Sequence, residues 1–362
     1  MYTAQHDDKN VNSLGNSLSK HVETYLSLPN DWSGRTPAAF KLTGIIDRIG
    51  QVAIRGDADA LYDLHHALFI LNEKEVAAPR PFMETHQFDP DVLCIRDRLE
   101  HWADSYERMR LPSNIPEGLT PDETLKEIVR IWKTHDSIDH PIFDYVQTTA
   151  GYNAVCEYLR SDYLLNIRFY DLVVYSLIGI DERVRFEVAH NLWDEVGQGN
   201  PANTHVQLYR DLLQSEGITP CKDTLVKHLS WQGLAGYNLM MRHGLHRKRY
   251  FESLGSLAVT ELADPDQYKK FVLGCKRVGI GAKNAAGLGY YEEHISVDVL
   301  HGEGWLENVI KPQLVSFPEA SRLVLSGVYQ RLNTAKDYWD ELLTRMKSID
   351  ETERVAQRGI AA

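Results

Sequence analysis

Hydrophobic positions along this chain recur at helical spacing, the pattern of helices that bury one face. Phe40, Leu42, Ile45, Ile46, Ile49 and Val52 fit it, and Ala58 to Leu71 continues it. Asp91 to Met109 is amphipathic, with Leu93, Ile95, Leu99, Trp102 and Tyr106 set among charged residues. Thr120-Pro-Asp-Glu predicts a helix start, with Thr120 as N-cap, Pro121 in the first turn and Glu123 completing a capping box. That helix is expected to end near Thr134. Further helices are predicted over 150–178, 182–197, 203–216, 222–243, 246–263, 266–283, 286–302, 303–316 and 319–348. The breaks between them are rich in Gly, Pro or Asn: Gly179-Ile-Asp, Gly197-Gln-Gly-Asn-Pro, Gly217-Ile-Thr-Pro, Asp264-Pro-Asp and Phe317-Pro. No stretch alternates with period two, so the expected fold class is all-α.

Residues 1–30 are polar and are expected to be disordered or loosely packed. Prolines between Glu75 and Pro90 mark a connection, and Leu111 to Pro121 is a composition break. The expected organisation is an N-terminal helical region over 31–135, a helical bundle over 136–348 and a tail over 349–362.

Composition narrows the function classes. A net charge of −12, with no Lys/Arg-rich run, argues against non-specific nucleic-acid binding. Cys94, Cys156, Cys221 and Cys275 are far apart and form no C-x-x-C, which argues against a disulfide framework or a zinc knuckle. Reduced thiols and a cytoplasmic location are the expectation. Met1 to Asn30 has no apolar segment of the secretory kind, and no run reaches the ~18 apolar residues that span a membrane.

The stretch with most chemistry is Tyr291 to Trp305, YEEHISVDVLHGEGW. His294, Asp298 and His301 stand at i, i+4 and i+7, so on a helix all three leave one face. Two imidazoles and a carboxylate on one stripe suit iron, manganese or zinc. Carboxylates on other apolar stripes are the natural partners, because a buried charge must be paired or bound to metal. Glu261 ends the stripe Leu254, Leu257, Ala258; Glu195 ends Val184, Val188, Leu192; Asp162 continues Val155, Tyr158, Leu159. Glu157 falls on the polar side, beside Arg160 and Ser161. His205 follows Glu195 across the glycine-containing break, which can bring two helix ends to one locus. Asp194 points about 100° away from Glu195, toward a supporting role or solvent. His65, His66, His228, His243 and His246 are expected at the surface or core edge. The aromatic residues Trp193, Tyr209, Trp231, Tyr237, Tyr290 and Tyr291 are expected to pack. The expected ligand set is thus Asp162, Glu195, His205, Glu261, His294, Asp298 and His301. Seven N/O ligands exceed what one zinc takes and suit two iron ions in a helical bundle.

The segment Glu187 to Leu213, EVAHNLWDEVGQGNPANTHVQLYRDLL, followed by EEHISVDVLHGEGW, resembles the haem-oxygenase-like di-iron oxidases, also called iron-containing redox enzymes. The resemblance covers roughly residues 140 to 345 and rests on N-L-x-D-E-x-G-x-G-x5-H and H-x3-D-x2-H in combination. It implies the haem-oxygenase-like bundle, without haem, and iron binding by Glu195, His205, Glu261, His294, Asp298 and His301. The family's first core helix carries a Glu where this chain has Ser161-Asp162-Tyr163, one methylene shorter. The implied activity is an O2-dependent oxidation with two Fe as cofactor, O2 as co-substrate and an external reductant. The substrate class is a small amine or amino acid, with N-oxygenation in a biosynthetic pathway as the leading reaction. Desaturation or C–C cleavage of an amino or fatty acid, and a non-catalytic iron-binding role, stay open. A homodimer formed through the N-terminal extension, an electron donor as partner, and neither nucleic acid nor membrane complete the expectation.

Overall fold

The computed structural model describes residues 18–29, 33–81 and 86–360, which divide into two compact units, Met1–Leu111 and Pro112–Ala362. Helices dominate both, and no strand occurs among the described residues.

The first unit is built from α1 (Leu18–Leu26), α2 (Arg35–Ala53), α3 (Ala58–Glu75) and α4 (Pro90–Met109). Its core takes most of the expected apolar stripes, with Ile46, Leu61, Leu64 and Leu99 shut off from solvent, but Phe40 and Leu93, expected on those stripes, are exposed. Polar side chains fix the helix ends: Asp57 caps α3, Asp89 caps α4, and Arg35 pairs with Asp89 at 2.6 Å. Helix α1 corrects the expectation for residues 1–30. Leu18, Val22 and Tyr25 bury one face of it, and the Leu18 amide donates to Asp63 Oδ2 at 3.2 Å. Residues 1–17 and 30 lie outside the described residues.

The second unit contains α5 (Pro121–Thr134), α6 (Pro141–Thr148), α7 (Tyr152–Leu177), α8 (Glu182–Glu195), α9 (His205–Ser215), α10 (Trp231–Leu245), α11 (Tyr250–Val278), α12 (Gly289–Gly304), α13 (Lys311–Ser316) and α14 (Ser321–Ile360). The capping box at Thr120 and Glu123 forms as the sequence predicts. Helix α5, expected in the N-terminal region, belongs to this second unit. Its Thr124 hydroxyl bonds Ser321 at 2.7 Å and its Asp122 pairs with Lys311 at 2.8 Å.

Helix α11 is the axis of the unit and packs on α12, α14, α6 and α7. The break expected at Asp264-Pro-Asp is absent, because α11 runs through Pro265. The proline removes the amide that would bond the Glu261 carbonyl, a cost of ~3 kcal/mol. Burial on both sides of the proline offsets it, through Leu254, Leu257 and Ala258 before it and Phe271 and Cys275 after it. Helix α12 passes into a π turn, Trp305–Ile310, before α13, where two helices were expected. The expected helix over 222–243 is a single turn, Lys222–Leu225, followed by α10. The expected tail at 349–362 is mostly the last part of α14. Asp350 there accepts from the Tyr145 hydroxyl and the Gly151 amide, which holds the helix end against α6 and α7. Residues 361–362 lie outside the described residues. No helix among the described residues is long and apolar enough to cross a membrane.

Candidate metal centre

Two buried groups of ligand atoms form inside the second unit. Glu195, His205 and His294 make one; Glu261, Asp298 and His301 make the other. Within each group the donor atoms lie within 4.8 Å of one another. The i, i+4, i+7 stripe of α12 therefore serves both groups, with His294 in the first and Asp298 and His301 in the second.

Local sequence explains how the first group closes. Helix α8 ends at Glu195, and the chain turns back through Gly197-Gln-Gly-Asn-Pro to start α9 at His205. Gly197 has φ +65°, and a Cβ there would stand 2.5 Å from the Asn203 carbonyl carbon. Only glycine fits such a turn. His205 Nδ1 comes to 3.1 Å from Glu195 Oε2, and its ring centre lies 4.3 Å from that of His294. His294 Nδ1 donates to the Tyr290 carbonyl at 2.5 Å, which fixes the tautomer and leaves the Nε2 lone pair for a metal. Burial holds the His294 imidazole well below its ordinary pKa, in the neutral form a metal requires.

The second group is oriented from behind. His301 Nε2 bonds Asp194 Oδ2 at 2.9 Å, which turns Nδ1 toward Glu261 Oε2 at 3.5 Å and Asp298 Oδ1 at 3.9 Å. Asp194 is in turn held by the Gln198 amide at 2.9 Å. Asn191 donates to Glu261 Oε1 at 2.8 Å. The motif N-L-x-D-E thus divides its work: Glu195 offers a ligand atom, while Asn191 and Asp194 fix ligands on two other helices.

These residues fit a metal pair. The buried Asp298 carboxylate and His205 Nδ1 meet other members of the same groups, Glu261 for Asp298 and Glu195 Oε2 at 3.1 Å for His205, which is the crowding expected of atoms that converge on an ion. Burial, with Glu261 adding to it, pushes the Asp298 carboxyl well above the usual carboxylate range. Such crowding of acids in a dry site calls for positive charge.

Asp162 belongs to neither group. It lines the cavity beside them and accepts from Asn166 Nδ2 at 2.8 Å. Burial pushes its carboxyl up to about 6, against the opposing pull of Asn166 and Arg331. Its helix, α7, presents it to the same space as Glu195 and Glu261, but the shorter side chain stays out of both groups. Glu157 is committed elsewhere, to His228 at 2.9 Å and Arg345 at 2.7 Å.

Two cavity residues escaped the sequence reading. Asp264 follows Glu261 by one helical turn and faces the cavity, with burial pushing its carboxyl well up. Reading Asp264-Pro-Asp as a break concealed it, although Leu257, Glu261, Asp264 and Tyr268 continue one stripe. Arg331 occupies the apolar stripe of α14, beside Val324, Val328 and Ala335. Of the other histidines, His65 and His243 are fully buried rather than at the core edge; His243 bonds Ser256 and Gln330. Tyr209, Tyr290 and Tyr291 pack together under the first group, while Trp193 is half exposed.

No curated protein matches the chain significantly. A model of the iron-containing redox enzymes matches residues 156–336, which hold both ligand groups. The chain belongs to that family of iron-containing redox enzymes, on a haem-oxygenase-like helical fold.

Proposed function

We propose that this protein is a non-haem di-iron oxidase or oxygenase that uses O2 to oxidise a small amine or an amino-acid-derived molecule. The observation that carries the reading is the pair of adjacent His/carboxylate groups, each with three buried ligand atoms. Glu195, His205 and His294 would hold one iron, and Glu261, Asp298 and His301 the other. Iron bound there would supply the redox chemistry toward O2.

The chain's own residues supply the rest. Asp194, Asn191 and the Tyr290 carbonyl hold three ligands in fixed orientations. Tyr268 and Tyr290 pack against the His294 ring and keep that side dry. A partly open cavity adjoins the ligands, with Leu165, Phe169 and Trp339 as apolar wall. A small substrate would lie on that side of the metals. An external reductant returns the site to its starting state.

N-oxygenation is the reaction we favour within this class. The test is mass spectrometry of products from iron-loaded protein, reductant, O2 and candidate amines. Oxygen gained on nitrogen supports the reading. Loss of two hydrogens or of carbon assigns desaturation or cleavage instead, and oxygen consumption indifferent to every substrate points to a non-catalytic iron protein.

A further inference from the structure

Arg331 is a cation among the carboxylates of the cavity wall. It projects from the first third of α14 into the cavity beside the ligand groups. It also lines a second pocket, walled by Tyr237, Thr334, Tyr338 and Trp339 and bordered by Gly233 and Gly236. The two spaces share Asp162, Leu165, Arg331 and Trp339, so the guanidinium stands on their common wall.

Its bonding is incomplete. Nε donates to Thr260 Oγ1 at 2.9 Å, and no other hydrogen bond or ion pair to a described residue engages the guanidinium. Asp264 and Asp162 act on it at longer range, while burial weakens its hold on its proton. A guanidinium offers a planar fork of N–H donors that matches a carboxylate. One edge is used to fix the side chain, and the terminal nitrogens are left toward the space where substrate must lie. Arg331 is only partly buried, so its terminal nitrogens stay open to the cavity, and a carboxylate is the acceptor that fits them.

We propose that Arg331 is the anchor for a carboxylate on the substrate, so that the molecule oxidised is an amino acid or another small carboxylic acid rather than a simple amine. The inference rests on the reading of the cavity as an oxidase site. The carboxylate end docks on Arg331, and the opposite end of the molecule, with its amine or C–H bond, reaches Glu195, Glu261, His294 and Asp298 across the same cavity. Thr260 sets the orientation of the fork, being one residue from Glu261 on α11. Anchor and ligand are thereby fixed by one rigid element.

The test is calorimetry on the full, chelator-treated chain with proteinogenic L-amino acids and straight-chain fatty acids, each beside its own carboxamide. Arg331→Gln and Arg331→Lys are run in parallel, with iron per chain measured separately for all three proteins. The expected result is at least one acid that binds wild type about tenfold or more tightly than its amide. Arg331→Gln should abolish that preference while still loading iron like wild type, and Arg331→Lys should restore part of it. A residue that merely balanced Asp162 and Asp264 would leave the acid-to-amide ratio unchanged. An unchanged ratio in Arg331→Gln, or no acid bound by wild type, overturns the anchor. Failure of wild type to load iron sinks the oxidase reading instead, and the metal-free binding comparison still decides Arg331.

Discussion

At the scale of residues, the candidate centre depends on side chains that never touch the ions they would serve. Asp194 is the clearest, because its hydrogen bond to His301 Nε2 selects which ring nitrogen faces Glu261 and Asp298. Asp194→Asn keeps the size and removes the charge. It should lower Fe(II) affinity at the second group by about 10–100-fold, read by competitive titration with a metal indicator. Asp63 shows a different electrostatic cost, away from the site. Burial pushes its carboxyl up to about 6 from 3.8, despite the Leu18 and Ser19 amides that pull it down. Between those values the folded chain keeps a proton that the unfolded chain has lost, so this group makes stability fall as pH rises. Asp63→Asn retains an acceptor for the Leu18 amide without the charge. The variant should gain on wild type by on the order of 1–3 kcal/mol between about pH 4 and about pH 7, measured by thermal denaturation. Six of the seven expected ligands fall into the two groups, because charge on an apolar helical stripe is a strong signal. Asp162 satisfied the same pattern yet only faces the cavity; the stripe fixes a direction, and reach depends on side-chain length and helix position.

At the scale of elements, the helix that carries Glu261 is held by unusually close backbone contact. A Cβ on Gly255 of α11 would lie 2.1 Å from the Val324 carbonyl oxygen of α14, and one on Gly327 would lie 2.0 Å from the Glu252 carbonyl oxygen. The two glycines therefore form a reciprocal crossing, and neither helix can add a methyl group there without moving. Gly255→Ala or Gly327→Ala should destabilise the protein by about 1–3 kcal/mol or more, seen as a lower denaturation midpoint. An alanine variant as stable as wild type would contradict the crossing. Periodicity made most helices legible, and the capping box placed the start of α5 to the residue. It failed where tertiary packing overrides local preference. Pro265 reads as a helix end, yet the buried faces on either side carry α11 through it. Helix α6 went unseen because eight residues, Pro141–Thr148, are too few to show a period. The polar end of α14 reads as a tail because its anchors are a phenol and a backbone amide, which leave no hydrophobic stripe.

At the scale of the whole molecule, the described residues form an N-terminal unit of four helices, joined to a unit that contains both ligand groups. The expected division lay near 135, whereas the units divide after Leu111, at the composition break Leu111 to Pro121, because α5 is bonded to α13 and α14. We propose that the N-terminal unit pairs two chains, which sedimentation of the full-length protein tests through its mass. The central claim is the metal pair. Purified protein should be loaded anaerobically with Fe(II), its iron counted per chain, and the visible spectrum followed on mixing with O2, with His294→Ala and Glu261→Ala alongside. The account predicts about two irons in wild type, loss of about one in each variant, and an O2-dependent spectral change in wild type alone. Well under one iron in wild type, or loading indifferent to both substitutions, would contradict it and leave the two groups as a buried polar network without a metal.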